Sequence, residues 1–120
     1  MEKPREAPSD YQENINEIKF REILEQRTVD VIDVREPVER EMDGELLVKP
    51  GVNVTCLSLE DMSYGVNLNH FNVGHPLLCV CTNGLKSGRA ASYLRLRDVK
   101  AQRLIGGLKS YREVMNEFHP

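Results

Sequence analysis

Leu77-Leu78-Cys79-Val80-Cys81 is the most apolar run in the chain. Such a run, with no polar alternation, reads as a central strand covered on both faces. The segments around it fit that reading. Val29-Asp30-Val31-Ile32-Asp33-Val34 is β-branched and short, and predicts a second buried strand. Val52 to Cys56 alternates and predicts a third, and Gln102-Arg103-Leu104 a short fourth. Asn16 is a fitting N-cap for a helix running to about Gln26. Ile15 and Phe20 flank that cap as a hydrophobic staple, and Ile23 and Leu24 follow at helical spacing. Pro37 is placed to open a single helical turn. Residues 42–51 read as a loop. Ser58 is placed to cap a short helix through Met62. Residues 64–76 read as a long polar connection, partly helical. Ser87 starts a helix with Ala90, Ala91 and Leu94 on one face. Gly106-Gly107 breaks the chain before a last helix carrying Leu108, Tyr111, Val114 and Met115. Strands and helices alternate, so the expected class is α/β with a mostly parallel sheet.

A length of 120 residues suits one domain. Residues 1–12, with Pro4 and Pro8, read as a flexible tail, and residues 13–120 as the folded unit. The formal net charge of -3 argues against a nucleic-acid partner. No apolar run approaches bilayer length, and the charged N-terminus lacks a signal core, so neither membrane nor export is expected. Three cysteines cannot make a complete disulfide set. A reducing cytoplasm and at least one working thiol fit better.

The segment Cys81-Thr82-Asn83-Gly84-Leu85-Lys86-Ser87 joins the central strand to a helix start. Open α/β sheets put their sites at the carboxyl ends of such strands. A loop turning into a helix aims several N–H groups at one spot, and the helix dipole adds to that preference for an anion. Gly84 lets the loop turn, and Lys86 adds a positive charge. A cysteine at the mouth of this nest is expected to favour the nucleophilic thiolate. The alternative is a small hydrophobe buried at a strand end. Cys79 and Cys56 are expected to be core residues of that kind. Cys79-x-Cys81 with His70 and His75 fits no standard zinc spacing, so no metal is expected. His119 reads as an exposed tail residue. Asp33 and Arg35 read either as a site pair or, preferably, as part of structural pairing, with Arg35 joined to Glu36 or Glu39.

The loop resembles that of the rhodanese domains, C-x-x-G-x-[RK]-[ST], at every defined position. Val31 to Pro37 with Glu39 is similar to a second family signature, and Pro50-Gly51-Val52-Asn53-Val54 to a third. Ala90-Ala91-x-x-Leu94, and Leu104-x-Gly106-Gly107 with Tyr111, are similar to the closing half. The resemblance spans roughly residues 15–115. It implies a rhodanese-like fold, a five-stranded mostly parallel sheet flanked by helices on both faces. It also implies a sulfurtransferase that needs no cofactor. Cys81 would take sulfane sulfur from thiosulfate or a protein persulfide, such as that of a cysteine desulfurase. It would hand that sulfur to cyanide, a thiol or a protein. Lys86 would act with Cys81, and Thr82, Asn83, Gly84, Leu85 and Ser87 would bind the sulfur species. Three departures stand out. The histidine usual before Pro50 is missing and that loop is longer. Asp98 stands where glycine is usual, and Lys86 replaces the commoner arginine.

Two other functions compete. A dual-specificity-type phosphatase needs a seven-residue loop with arginine six positions after the cysteine, and Ser87 occupies that position. A degenerate rhodanese-like binding or regulatory module usually loses the cysteine, which is kept here. The closing segment from Gly106 also resembles rhodanese domains that serve small sulfur-carrier proteins, with residues 67–74 lining the entrance. A small thiol such as glutathione is the simpler acceptor.

Overall fold

A computed structural model describes residues 12–26, 29–65 and 77–118. The elements in order are β1 (Asn14–Ile15), α1 (Glu17–Gln26), β2 (Asp30–Asp33), α2 (Pro37–Asp43), β3 (Asn53–Cys56), α3 (Leu59–Ser63), β4 (Leu77–Val80), α4 (Leu85–Arg95), β5 (Ala101–Leu104) and α5 (Gly107–Phe118). The five strands form one parallel sheet in the order β1-β5-β4-β2-β3. The apolar run is the central strand, and all four residues of β4 are buried. Most of the first twelve residues, the histidines at 70 and 75, the stretch 67–74 and His119 lie outside the described residues.

Period-two alternation divides the sheet between two cores. Val31, Leu78, Val80 and Leu104 face α1 and α5, packing with Phe20, Ile23, Leu24 and Leu108. Ile32, Leu77, Cys79, Cys81 and Ala101 face the other way, packing with Met62, Ala90, Ala91 and Leu94 of α3 and α4. Phe20 meets Tyr111 edge-on, with ring centroids 4.9 Å apart. No helix among the described residues is long and apolar enough to cross a membrane.

Several boundaries differ from the expected ones, for identifiable reasons. β1 escapes sequence reading because two residues show no periodicity. It exists because Asn14 and Ile15 pair with Arg103 and Leu104. Asn16 still caps α1, its Oδ1 accepting from Lys19 N at 2.9 Å. α2 runs two turns instead of one. It buries no residue, so its pattern carries no apolar signal. Its stability comes from Pro37 in the first turn and from Glu39, whose Oε1 accepts from Glu36 N at 2.9 Å. α4 begins at Leu85, not Ser87, because Leu85 is exposed and hides the first helical turn from a periodicity reading. Cys56 is exposed, not core, since β3 is an edge strand.

α4 ends in a Schellman pattern. Val99 N donates to Leu94 O at 3.0 Å and Asp98 N to Arg95 O at 3.1 Å. Asp98 therefore adopts φ 64°, the left-handed conformation that favours glycine. Aspartate tolerates it at a cost. Asp98→Gly should raise stability by about 0.5–1 kcal/mol in urea denaturation, relief of strain outweighing the freer unfolded chain. A destabilised variant would contradict this account of the turn.

Candidate active site

Cys81 follows β4 directly and is 1% exposed. The chain then turns through Thr82 and Asn83 to Gly84, at φ 92°, and enters α4. Gly84 is required twice over. Its backbone is left-handed, and a Cβ there would strike the carbonyl oxygen of Ile105. Gly107, at φ 74°, is required for the matching reason, since a Cβ there would strike the carbonyl of Thr82. These two bare positions let the start of α5 press against the loop. Leu108 N donates to Cys81 O at 2.8 Å and Lys109 N to Thr82 O at 3.0 Å. Two N–H groups at the start of α5, which no helix can satisfy internally, thus hold the loop.

The thiol sits inside the turn. Gly84 N donates to Cys81 Sγ at 3.1 Å and Ser87 N at 3.2 Å. Ser87 Oγ lies 3.4 Å from the sulfur and donates to Gly84 O at 3.2 Å. Of the residues predicted to line the loop, Gly84 and Ser87 therefore converge on the sulfur. Leu85 N is taken instead by Asn83 Oδ1 at 3.1 Å, and Thr82 Oγ1 donates to Glu39 Oε2 at 3.4 Å. An anion at this point receives charge-assisted hydrogen bonds from the backbone.

Lys86 brings its positive charge to the loop already paired. Its Nζ bonds Glu39 Oε1 at 2.7 Å. That bond holds Glu39 below the usual carboxylate value, helped by the N–H of Glu36. The same bond raises Lys86. Glu39 was not singled out as a site residue. Its signal was its place in the signature around Asp33 and Arg35. It ties α2 to both Thr82 and Lys86.

Arg35 pairs with Asp33, not with Glu36 or Glu39. Nη2 lies 2.8 Å from Asp33 Oδ2 and Nε lies 3.0 Å from Oδ1, with both side chains fully buried. The hydrogen bonds to Asp33 raise the guanidinium further. Nη1 donates to Gly44 O at 2.9 Å, and Arg112 of α5 donates to Asp43 O and Gly44 O at 2.8 and 3.1 Å. The turn after α2 is thereby pinned between β2 and α5. Asp33, Glu45 and Cys56 each bring one atom within 4.8 Å of the others, but both Asp33 oxygens already serve Arg35. Cys79 is buried beside the site, and burial pushes its thiol up to about 12. Cys56 is raised mainly by desolvation.

A scan against protein-family models finds no match, and a search of curated proteins finds none either. Solved structures do match. A rhodanese homologue of Thermus thermophilus is 30% identical, covering 82% of this chain and 99% of its own, with a TM-score of 0.59. A rhodanese-like domain protein of Staphylococcus aureus is 26% identical, covering 83% and 91%, with a TM-score of 0.67. A protein of unknown function from Rhodopseudomonas palustris, described as a possible tyrosine phosphatase, is 20% identical, covering 86% and 81%, with a TM-score of 0.72. At that identity the likeness is one of fold.

Two predictions follow from the ion pairs. Arg35→Met leaves the Asp33 carboxylate buried and unpaired, and should cost about 3 kcal/mol or more in urea denaturation. A loss below about 1 kcal/mol would show the pair to be dispensable. Glu39 is depressed, so its contribution is present above the ordinary value of 4.5 and is lost as pH falls through its lowered value. Lys86 is raised, so its contribution is present below 10.5 and is lost as pH rises through its raised value. The stability difference between wild type and Glu39→Gln should be flat between those limits and vanish in acid. Both side chains are partly exposed, so it should stay below about 1 kcal/mol.

Proposed function

This chain belongs to the rhodanese-like domain family, and we propose that it works as a sulfurtransferase with Cys81 as the sulfur carrier. The observation that carries the reading is the convergence of Gly84 N and Ser87 N on Cys81 Sγ. Donors preset around a point where negative charge must be held are the usual source of electrostatic catalysis. In the loading step the Cys81 thiolate attacks the outer sulfur of thiosulfate. A new S–S bond forms to Sγ, the donor S–S bond breaks, and its electron pair leaves with sulfite. Cys81 is left as a persulfide anion, facing the two N–H groups and the hydroxyl of Ser87. In the unloading step an acceptor nucleophile attacks the outer sulfur, and the electron pair of the persulfide bond returns to Sγ. A protein persulfide is an equivalent donor. Cyanide, a small thiol and a protein tail are equivalent acceptors. No cofactor is required, and a reducing cytoplasm would keep the thiol ready.

Lys86 contributes from one step away. Its charge is shared with Glu39, so it sets the potential at the loop mouth without gripping the sulfur. The loop is one residue short of the phosphatase length and carries Ser87 where that chemistry needs arginine.

Cys81→Ser should abolish thiosulfate:cyanide turnover, whereas Cys79→Ser and Cys56→Ser should keep most of it. Turnover surviving in Cys81→Ser would refute the assignment. Lys86→Ala should raise the KM for thiosulfate several-fold and Lys86→Arg should not, an effect of order 1 kcal/mol for a partly screened charge. An unchanged Lys86→Ala enzyme would mean that the backbone donors suffice. Hydrolysis of an aryl phosphate by the wild type, lost in Cys81→Ser, would contradict the loop-length argument.

A further inference from the structure

The stretch from residue 85 to residue 103 carries Lys86, Arg89, Arg95, Arg97, Lys100 and Arg103 against Asp98 alone, in a chain whose net charge is -3. The fold gathers half of these cations along one groove of about 690 Å³, between α4 and the sheet edge at β5 and β1. Leu85, Arg89, Ser92 and Leu96 line it at helical spacing, on the side of α4 turned away from the buried Ala90, Ala91 and Leu94. Arg95 is fully engaged. Its Nε lies 3.3 Å from Glu13 Oε2, and its other nitrogens donate to Ala101 O and Ser92 Oγ. Arg103 donates through Nε to Asn14 Oδ1 at 3.0 Å and through Nη1 to Gly84 O at 3.4 Å. Gly88 leaves room for that side chain, since a Cβ there would come within 3.0 Å of Nη1. Arg89 is exposed and has no hydrogen bond or ion pair among the described residues. No carboxylate stands among the described residues that line the groove.

A guanidinium can only donate hydrogen bonds, so Arg89 and the open edge of Arg103 call for an anion. A small anion would leave the rest of the groove unused. Leu85 and Leu96 stand at its two ends, 69% and 83% exposed. They are eleven residues apart on α4, about 16 Å along the helix axis. An extended chain covers that span in about five residue steps. A segment with acidic residues between two apolar ones would cover both leucines and meet the arginines between them. We propose that this groove docks a partner protein through an acidic, extended segment with an apolar residue at each end. Opposite charge also steers such a partner to this face of an otherwise acidic chain. The groove adjoins the reactive loop, because Leu85 follows Gly84 and Arg103 bonds Gly84 O. Docking brings the partner to the rim of the loop without contact to Cys81. The proposal goes beyond the sulfurtransferase reading and does not depend on it.

The test titrates the full chain with a capped, fluorescent hexapeptide that has leucine at both ends and alternating glutamate and aspartate between them. Binding is read by anisotropy, and the site by backbone amide shifts in NMR spectra. The acidic peptide should bind about tenfold more tightly than its glutamine and asparagine analogue, the scale of two partly exposed ion pairs. The amides of Gly88, Ser92 and Leu96 should shift, and those of α1 and α5 should not. Arg89→Glu should weaken binding about tenfold, and added salt should weaken it too. The arginine bonds nothing among the described residues, so the exchange leaves the fold intact. Leu96→Ala should cost about threefold through lost apolar contact. Equal binding of the acidic and neutral peptides, shifts confined to another face, or affinity unchanged in Arg89→Glu would overturn the proposal. So would a single-stranded oligonucleotide that displaces the peptide and binds more tightly, since the groove would then read phosphate. Sulfur uptake from thiosulfate plays no part in these readouts, so failure of the sulfurtransferase reading would be seen separately.

Discussion

The start of α5 is fastened to the reactive loop through backbone alone, and the geometry around the sulfur depends on that fastening. Leu108 N and Lys109 N reach Cys81 O and Thr82 O at 2.8 and 3.0 Å. Neither approach would be possible with a side chain at Gly107, or at Gly84 on the facing strand of the turn. With the carbonyls of residues 81 and 82 turned toward α5, the following N–H groups are free to turn inward. Those of Gly84 and Ser87 reach the sulfur. The loop is thus a conformation imposed from both ends, by β4 before it and by α4 and α5 after it.

Two ion pairs complete the frame, and they work differently. Asp33 and Arg35 are fully buried, and their bidentate pairing is a condition for either to be inside at all. Through Gly44 the same guanidinium places the turn after α2. Glu39 and Lys86 are only half-buried and belong to the rim. Their energetic weight is small, but their position joins α2 to the loop and sets the charge at its mouth.

The central strand, the reactive loop and the α/β class were legible in the sequence because each left a local mark. Continuous apolar character marked β4, and a glycine three residues after Cys81 marked the turn. Asn16 and Ser58 marked helix starts. What escaped had no local mark. β1 is a pairing of two residues with a strand almost ninety positions away. α2 has no buried face. Cys56 reads as core by its place at a strand end, yet lies on an edge strand, and edge order is a property of the whole sheet. The partner of Arg35 differs from the expected Glu36 or Glu39 for the same reason, since proximity in sequence says nothing about which carboxylate shares a pocket. Asp98, standing where glycine is usual, takes the left-handed conformation that glycine favours.

The central claim is that the amide nest makes Cys81, and neither of the other cysteines, the seat of a persulfide. Incubating the wild type with thiosulfate, then measuring intact mass and mapping the peptides under non-reducing conditions, tests it most directly. The account predicts a gain of one sulfur atom on the peptide containing Cys81, removed by cyanide. No gain in mass, or a sulfur found on Cys56 or Cys79, would contradict it.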